Sequence, residues 1–466
     1  MIKPRPLAFA LVCLGVLAAA PSSVAAAAPK VSARAKGAPS PELIRMAREI
    51  SPQRIERSVR KLASFGTRHT LSSQTDPERG IGAARDWLLS EFQRSAAMSD
   101  GRMSVELQSY VQAPAPRVPE PTTITNVVAT LHGSQPESAD RVYVVSGHYD
   151  SRCSDPLDAV CDAPGADDDA SGVAAVLELA RVMATRDFDA TIVFMAVAGE
   201  EQGLFGSTHF AELAKASGTN IDGMFTNDII GSSVGQNGRR EPFTVRLFAE
   251  AIPSDETPEE AELRDVLGGE NDSQSRQLAR YVKEVGQNRA TGMRVRIIYR
   301  RDRFLRGGDH LPFLERRYPA ARFTEPNEDY RHQHQDVRVE DGVQYGDLVR
   351  FVDFRYIARV ARVNLAALAG LSRAPARPSD VAVDARELTT DTTLQWSANT
   401  EPDLAGYEIV WRDTTSPVWT HSRFVGNVTA YTVRGISKDD FHFGVRAVDR
   451  DGNRSPVRFP GAVLEE

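Results

Sequence analysis

The sequence predicts an α/β fold, a mostly parallel mixed sheet sandwiched by helices, followed by a small all-β sandwich. Three observations predict it. Between about residues 141 and 231, short apolar runs ending in glycine or polar residues alternate with apolar residues at helical spacing, a pattern of right-handed crossovers and a sheet covered on both faces. A Pro/Arg linker, RAPARPSD, follows a long helical segment at 373–380. Beyond it the spacing is that of strands only, with five or more short strands in ~90 residues.

The elements follow in order. From Ser40 the pattern is helical, with Leu43, Ile44, Met46 and Ala47, then Ile55, Val59, Leu62 and Ala63 on one face. A third helix near 82–92 carries Trp87, Leu88 and Phe92. MSVELQSYV and TTITNVVATL alternate or run apolar as strands do, and RVYVVSG (141–147) reads as a buried strand. A helix from about Ser171, the strand TIVFMAV (191–197), a helix over 207–216 and the strand candidate GMFTNDIIG (223–231) continue the alternation. Between Gly235 and about Gln287 the pattern weakens into polar, acidic sequence with one helical stretch, LARYVKEV, which suggests an excursion from the sheet. MRVRIIYR and YPAARFTE supply further strands, and 348–371 a long closing helix.

At 466 residues the chain exceeds one ordinary core. With 41% apolar and 26% charged residues it reads as folded material, and a net charge of −7 without a basic stripe excludes nucleic acid as a partner. Lys3 and Arg5 precede the apolar run Leu7–Ala20 and a small-residue segment near Ala26, the pattern of a secretory signal. No later stretch reaches the ~20 apolar residues of a membrane span. The expected division is a signal peptide at 1–28, a flexible lead-in or propeptide at 29–44, a main domain at 45–372, a linker at 373–379 and the sandwich at 380–466. The expected product is secreted, extracellular or periplasmic, with no transmembrane segment. Cys153 and Cys161, the two cysteines left after cleavage, are expected to form a disulfide in an oxidising compartment.

In open α/β sheets, sites form beyond the carboxyl ends of the strands. Here those ends carry His148 and Asp150 (GHYD), the loop PGADDDASG with Asp167, Asp168 and Asp169, then Glu200 and Glu201 (AGEE), Asp228, and the segment YRHQHQD with His332, His334 and Asp336. Mixed imidazole and carboxylate donors suit zinc. Five or six of them exceed what one catalytic ion uses, whereas two ions sharing a carboxylate would use them all.

GHYD, PGADDDASG, AGEEQGLFGS, the aspartate of TNDIIG and HQHQD together resemble, in that order, the secreted co-catalytic dizinc aminopeptidases. These belong to a zinc peptidase clan that also holds glutamate carboxypeptidase-like enzymes and glutaminyl cyclases. The resemblance spans roughly 45 to 370. It implies the zinc exopeptidase fold, two Zn2+ ions and peptide substrates. It further implies His148 and Asp228 on one metal, Glu201 and His332 on the other, and Asp168 between them. Glu200 would be the general base, and Asp150 would orient the His148 ring. Asp169 or Ser171 would cap the next helix, with a cis peptide between Asp168 and Asp169. The spacing to Asp336 favours His332 over His334 for the last position. Asp309 and His310 (GGDH) match a position that is not a ligand.

The implied activity is removal of N-terminal residues from peptides. Carboxypeptidase or dipeptidase activity is the alternative within the clan; for it, Arg301, Arg303 and Arg306 would bind a carboxylate rather than form a basic surface loop. A non-catalytic binding or adhesion protein on the same fold is the alternative of another class. The C-terminal segment resembles a fibronectin type III domain through Trp396, Tyr407 and Val445-x-Ala447, although Phe441 stands where such domains commonly carry a tyrosine. It is a candidate contact for an extracellular polymer or surface.

Overall fold

The computed structural model describes residues 38–386 and 388–463; the expected signal peptide, 1–28, lies outside them. Helices α1 (Pro41–Glu49) and α2 (Pro52–Ala63) each begin with proline in the first turn behind a serine cap, Ser40 or Ser51, whose hydroxyl accepts a backbone N–H. Helix α3 (Ile81–Ala96) leads into strands β1 (Met103–Gln112), β2 (Thr122–Leu131) and β3 (Arg141–His148). There follow α4 (Ala170–Met183), β4 (Thr191–Val197), the single-turn α5 (Glu200–Gly203), α6 (Phe205–Ala216) and β5 (Asn220–Asn227). Next come β6 (Thr244–Ala249), α7 (Pro258–Leu267), α8 (Gln274–Gly286), β7 (Arg294–Ile298), the short α9 (Leu311–Leu314) and β8 (Ala320–Thr324). A two-stranded hairpin, β9 (Arg338–Glu340) and β10 (Val343–Tyr345), precedes α10 (Phe354–Leu371).

The eight strands form one mixed sheet in the order β1-β2-β4-β3-β5-β8-β6-β7. Its centre, β4-β3-β5-β8, is parallel throughout, so the carboxyl ends of these strands share one edge. β4 and nearly all of β3 are buried, as expected where helices cover both faces. Helix α4 is buried almost all round, because it is packed between the sheet and helices α2 and α10. Its first turn reads Ala-Ser-Gly for a steric reason: a Cβ on Gly172 would stand 2.0 Å from the Asn227 carbonyl oxygen. Strand β6 falls within the stretch that reads weakly in the sequence. It forms an antiparallel pair with β8 and a parallel one with β7, extending the sheet instead of leaving it.

The C-terminal segment folds into two further sheets, β15-β12-β11-β17 and β14-β13-β16, from strands β11 (Ala382–Asp384), β12 (Thr392–Gln395), β13 (Leu404–Asp413), β14 (His421–Gly426), β15 (Ala430–Val433), β16 (Phe441–Asp449) and β17 (Gly461–Val463). Leu394, Trp396, Tyr407, Ile409, Phe443 and Val445 form their common core. The Tyr407 hydroxyl accepts the Asn399 N–H at 2.7 Å. This unit is locked onto α8: Asp272 accepts Arg280 at 2.9 Å and Arg412 at 2.6 Å, the Trp419 indole donates to Gln277 at 2.9 Å, and Arg446 meets Glu284 at 3.0 Å.

Asp272, Arg280 and Arg412 are all buried, so removing the one carboxylate leaves two guanidinium groups uncompensated. Asp272→Ala is therefore expected to cost about 3–5 kcal/mol, measured as a fall in the denaturation midpoint of the full chain.

Candidate metal centre

Each parallel strand at the centre of the sheet delivers a polar group at its carboxyl end. His148 is the last residue of β3, Glu200 and Glu201 open α5 directly after β4, and Asp228 follows β5. The loop before α4 brings Asp168 to the same place. His148 Nε2 lies 3.1 Å from Asp168 Oδ1 and 3.9 Å from Asp228 Oδ1, while Asp168 Oδ2 lies 3.1 Å from His334 Nε2. His334 Nε2 is also 3.0 Å from Glu201 Oε2. Asp168 thus stands between two imidazoles with one oxygen toward each. Two donor groups result, His148 with Glu200 and Asp228, and Asp168 with Glu201 and His334.

The three aspartates of the loop divide their work. Asp168 faces the cluster. Asp167 turns away, its Oδ1 accepting the Gly231 N–H at 2.6 Å and the Ser171 hydroxyl at 3.2 Å. Asp169 caps α4, accepting the N–H groups of Gly172 at 2.9 Å and His148 at 3.1 Å, and the Asp168–Asp169 peptide is cis. The backbone N–H groups of Asp167 and Asp168 both donate to Asp347, at 2.9 and 2.7 Å. Arg68 secures the loop from the other side, donating to the carbonyls of Pro164, Gly165 and Tyr149 at 2.5, 2.9 and 2.6 Å. Burial pushes the Asp167 carboxyl up to about 7 and raises Asp347 well above the ordinary range, with the neighbouring aspartates adding to it.

Burial alone would lower the His148 imidazole, but Glu200, Asp150 and Asp168 outweigh it and hold it well above its usual value. Burial would likewise raise Asp168; the two imidazoles prevail and hold it well below. Glu200 is raised well above the ordinary carboxyl range by burial, with Asp228 and Glu201 adding to the effect against His148. His148 Nε2 and Glu201 Oε1 are buried atoms without a hydrogen-bond partner. Buried imidazole and carboxylate atoms left unpartnered, one in each donor group, fit zinc, whose preferred ligands these are.

Two expectations change. His332 does not reach the cluster: its ring stacks on Phe351 at 3.8 Å between centroids, and its Nδ1 is 3.9 Å from Asp329 Oδ2. His334 takes the place instead. Counting back from Asp336 assumes an even path, but His334 adopts a left-handed φ of 51°, which turns the chain inward at that residue. Asp336 has another task, a reciprocal pair of 3.1 Å bonds with Ser154 N–H and Oγ. Asp150 orients His148 mainly through its backbone: Nδ1 is 3.2 Å from the Asp150 carbonyl oxygen and 3.5 Å from its carboxylate. The carboxylate accepts the N–H groups of Glu201 and Glu200 at 3.1 and 3.4 Å, and so fixes the turn that carries both glutamates. Cys153 and Cys161 are joined in a disulfide.

Further residues enter the site unannounced. Arg322, fully buried on β8, meets Asp228 at 2.8 Å. Arg152 donates to Glu201 Oε2 at 3.0 Å and lies 2.7 Å from His334 Nδ1. A guanidinium only donates, so in that contact Nδ1 offers its lone pair; a cation on Nε2 needs the hydrogen at Nδ1. The two arrangements exclude each other, so a metal held at Nε2 would require Arg152 to give up this contact. Arg303 and Arg306 line a cavity with Asp168, Glu200, Glu201, Asp228 and His334, whereas Arg301 turns to Glu250 and Glu315. Asp309 is buried beside these groups and pushed up to about 7 by burial.

A mixed sheet with histidine and carboxylate donors gathered at its carboxyl edge defines a metal-dependent hydrolase. A model of peptidase family M28 matches residues 126–340. A probable zinc metalloprotease of Leptosphaeria maculans is 54% identical over 423 residues, covering 91% of this chain and 97% of that protein. Another, of Pyricularia oryzae, is 53% identical over 418 residues, covering 88% and 83%. The glutaminyl cyclase of Macrostomum lignano has the same fold, with a TM-score of 0.51 over 73% of this chain and 96% of that one at 15% identity. The chain belongs to peptidase family M28 and is a zinc metallopeptidase.

The exchange of histidines is open to direct measurement. His334→Ala is expected to weaken zinc binding by more than the ~10–100-fold typical of outer partners, and His332→Ala to leave it unchanged; equilibrium dialysis with zinc detection separates the two.

Proposed function

We propose that the chain is an exported exopeptidase that removes N-terminal residues from peptides, using two zinc ions and Glu200 as general base. The observation that carries the two-ion reading is Asp168, whose two oxygens face two different imidazoles at 3.1 Å each. His148 and Asp228 would hold one ion, Glu201 and His334 the other, with Asp168 shared. Bound zinc lowers the pKa of a coordinated water and polarises a carbonyl.

The protein supplies the rest. Glu200 is held by its backbone bond to Asp150 and by the fixed turn of α5. Its raised pKa suits a group that takes a proton from water and returns it to the leaving amine. Arg322 and Arg152 steady Asp228 and Glu201 through ion pairs of 2.8 and 3.0 Å. The carboxylates Glu200 and Asp228, which line the cavity, provide the negative field that a free substrate amine requires. Export is supported by the N-terminal pattern and by the Cys153–Cys161 disulfide. The C-terminal sheets, which we read as a fibronectin type III-like domain, act as a brace on α8 through the Asp272 and Trp419 contacts.

Glu200→Gln should retain both zinc ions and lose about 10²–10⁴ in rate, measured on aminoacyl, N-blocked and C-terminal peptide substrates beside metal analysis. Wild-type turnover in that variant overturns the base assignment. A chelator should abolish the activity and zinc restore it. One zinc per chain at saturation would overturn the shared-carboxylate reading.

A further inference from the structure

We propose that the ring closed by the Cys153–Cys161 disulfide is a positioning element for one half of the metal centre. It holds His334 against Asp168 and Glu201, so that opening it costs one of the two zinc ions and leaves the other. This rests on the two-ion reading and gives the disulfide a role within it. The two donor groups are not built alike. His148 ends β3, Glu200 opens the turn after β4 and Asp228 follows β5, all on the parallel centre of the sheet. His334 lies on a loop, in a left-handed conformation (φ 51°) that a residue bearing a Cβ adopts at a cost. Contacts from outside the loop must hold it there.

The ring supplies two ties. Ser154, directly after Cys153, exchanges its reciprocal 3.1 Å bonds with Asp336, two residues beyond His334. That pair engages neither imidazole nitrogen, so it is compatible with a cation at Nε2, whereas the Arg152 contact at Nδ1 is not. The second tie runs through His69. Its Nδ1 accepts the Leu71 N–H at 3.1 Å, so the hydrogen sits on Nε2, which donates to the Pro156 carbonyl of the ring at 3.0 Å. The same nitrogen lies 3.2 Å from the side-chain amide of Gln202, the residue after Glu201. The ring therefore touches the chain beside His334 and, through His69, beside Glu201. What orders the ring is the cross-link. Leu157 and Val160 are 48% and 81% exposed, so their packing does not anchor it. Ser154 and Asp336 are exposed too, as is the 2.9 Å bond from Arg79 to the Val160 carbonyl. Hydrogen bonds between solvated groups add little net stability and do not offset the entropy of ordering a free loop. Covalent closure limits that entropy before the bonds form.

The test compares the full-length wild type with Cys153→Ser/Cys161→Ser, which removes the bond without leaving thiols that would themselves take zinc. Competition titration with a chromophoric chelator should resolve two zinc-binding steps in the wild type. In the double variant one step should be unchanged and the other weakened by about 10–100-fold, the scale of a lost outer partner. Asp336→Ala, with the disulfide intact, should weaken the same step, which a disulfide acting only on global stability would not produce; it also keeps the tie open to measurement should the double variant not fold. Hydrogen exchange on the metal-free proteins gives a readout without zinc. Residues 333–337 should exchange at least about 10-fold faster in the double variant, while α4 keeps its wild-type rates.

Equal weakening of both steps, wild-type zinc binding in either variant, or faster exchange throughout the chain overturns the proposal. A single zinc-binding step in the wild type overturns the two-ion reading instead, and exchange over 333–337 then decides whether the ring holds the His334 segment.

Discussion

The structure depends on the accommodation of buried negative charge around one aspartate. Asp168 sits in a protein interior where an isolated carboxylate would be strongly disfavoured, with Asp167 and Asp169 as chain neighbours and Glu200, Glu201 and Asp228 close by. Such a group is tolerable only if positive charge or directed hydrogen bonds surround it. Arg152 and Arg322 supply the first, and the imidazoles and backbone N–H groups supply the second. A site that gathers carboxylates so densely is matched to a dication, whose charge inverts the local preference for protonation.

The surroundings of the loop follow from that requirement. Asp347 takes the N–H groups of residues 167 and 168 together, Asp169 spends its carboxylate on α4 and β3, and Arg68 gathers three carbonyls on the far side. None of these groups points at the donors. They determine where Asp168 can point, and the single-residue placement of each donor at a strand end makes the parallel centre of the sheet the rigid part of the arrangement.

Much of this was legible in the sequence because local pattern and global fold agree at the centre of the sheet. RVYVVSG, TIVFMAV and MFTN are apolar runs closed by polar residues, and those residues are the ones that meet. Strand β6 escaped because TVRLFA carries Arg246 in its middle. The guanidinium folds back to the Glu325 carbonyl and to Glu328, both at 2.6 Å, a partnership that no periodicity reveals. The exchange of His332 for His334 has a similar origin: two histidines one residue apart compete for one position, and a left-handed turn decides between them. Arg152, Arg322 and Asp347 act through contacts from distant parts of the chain, so their residue types alone carry no signal. Asp167 to Asp169 were conspicuous as a cluster, yet the division of labour among them is a property of the loop path.

The clasp between the C-terminal sheets and α8 bears on how the chain can be divided. Helix α8 packs on α10 and lies under β6, β7 and β8, the flank of the sheet that ends in Arg322 and Asp228's support. Asp272, Gln277 and Arg280 on or beside that helix bond one another and take further partners in Arg412, Trp419 and Pro417 from beyond the linker. Trimming the polypeptide at the linker would expose to water the buried Asp272 and Arg280 on that seam. The contacts across the linker tie the C-terminal sheets to the helix that supports the outer strands.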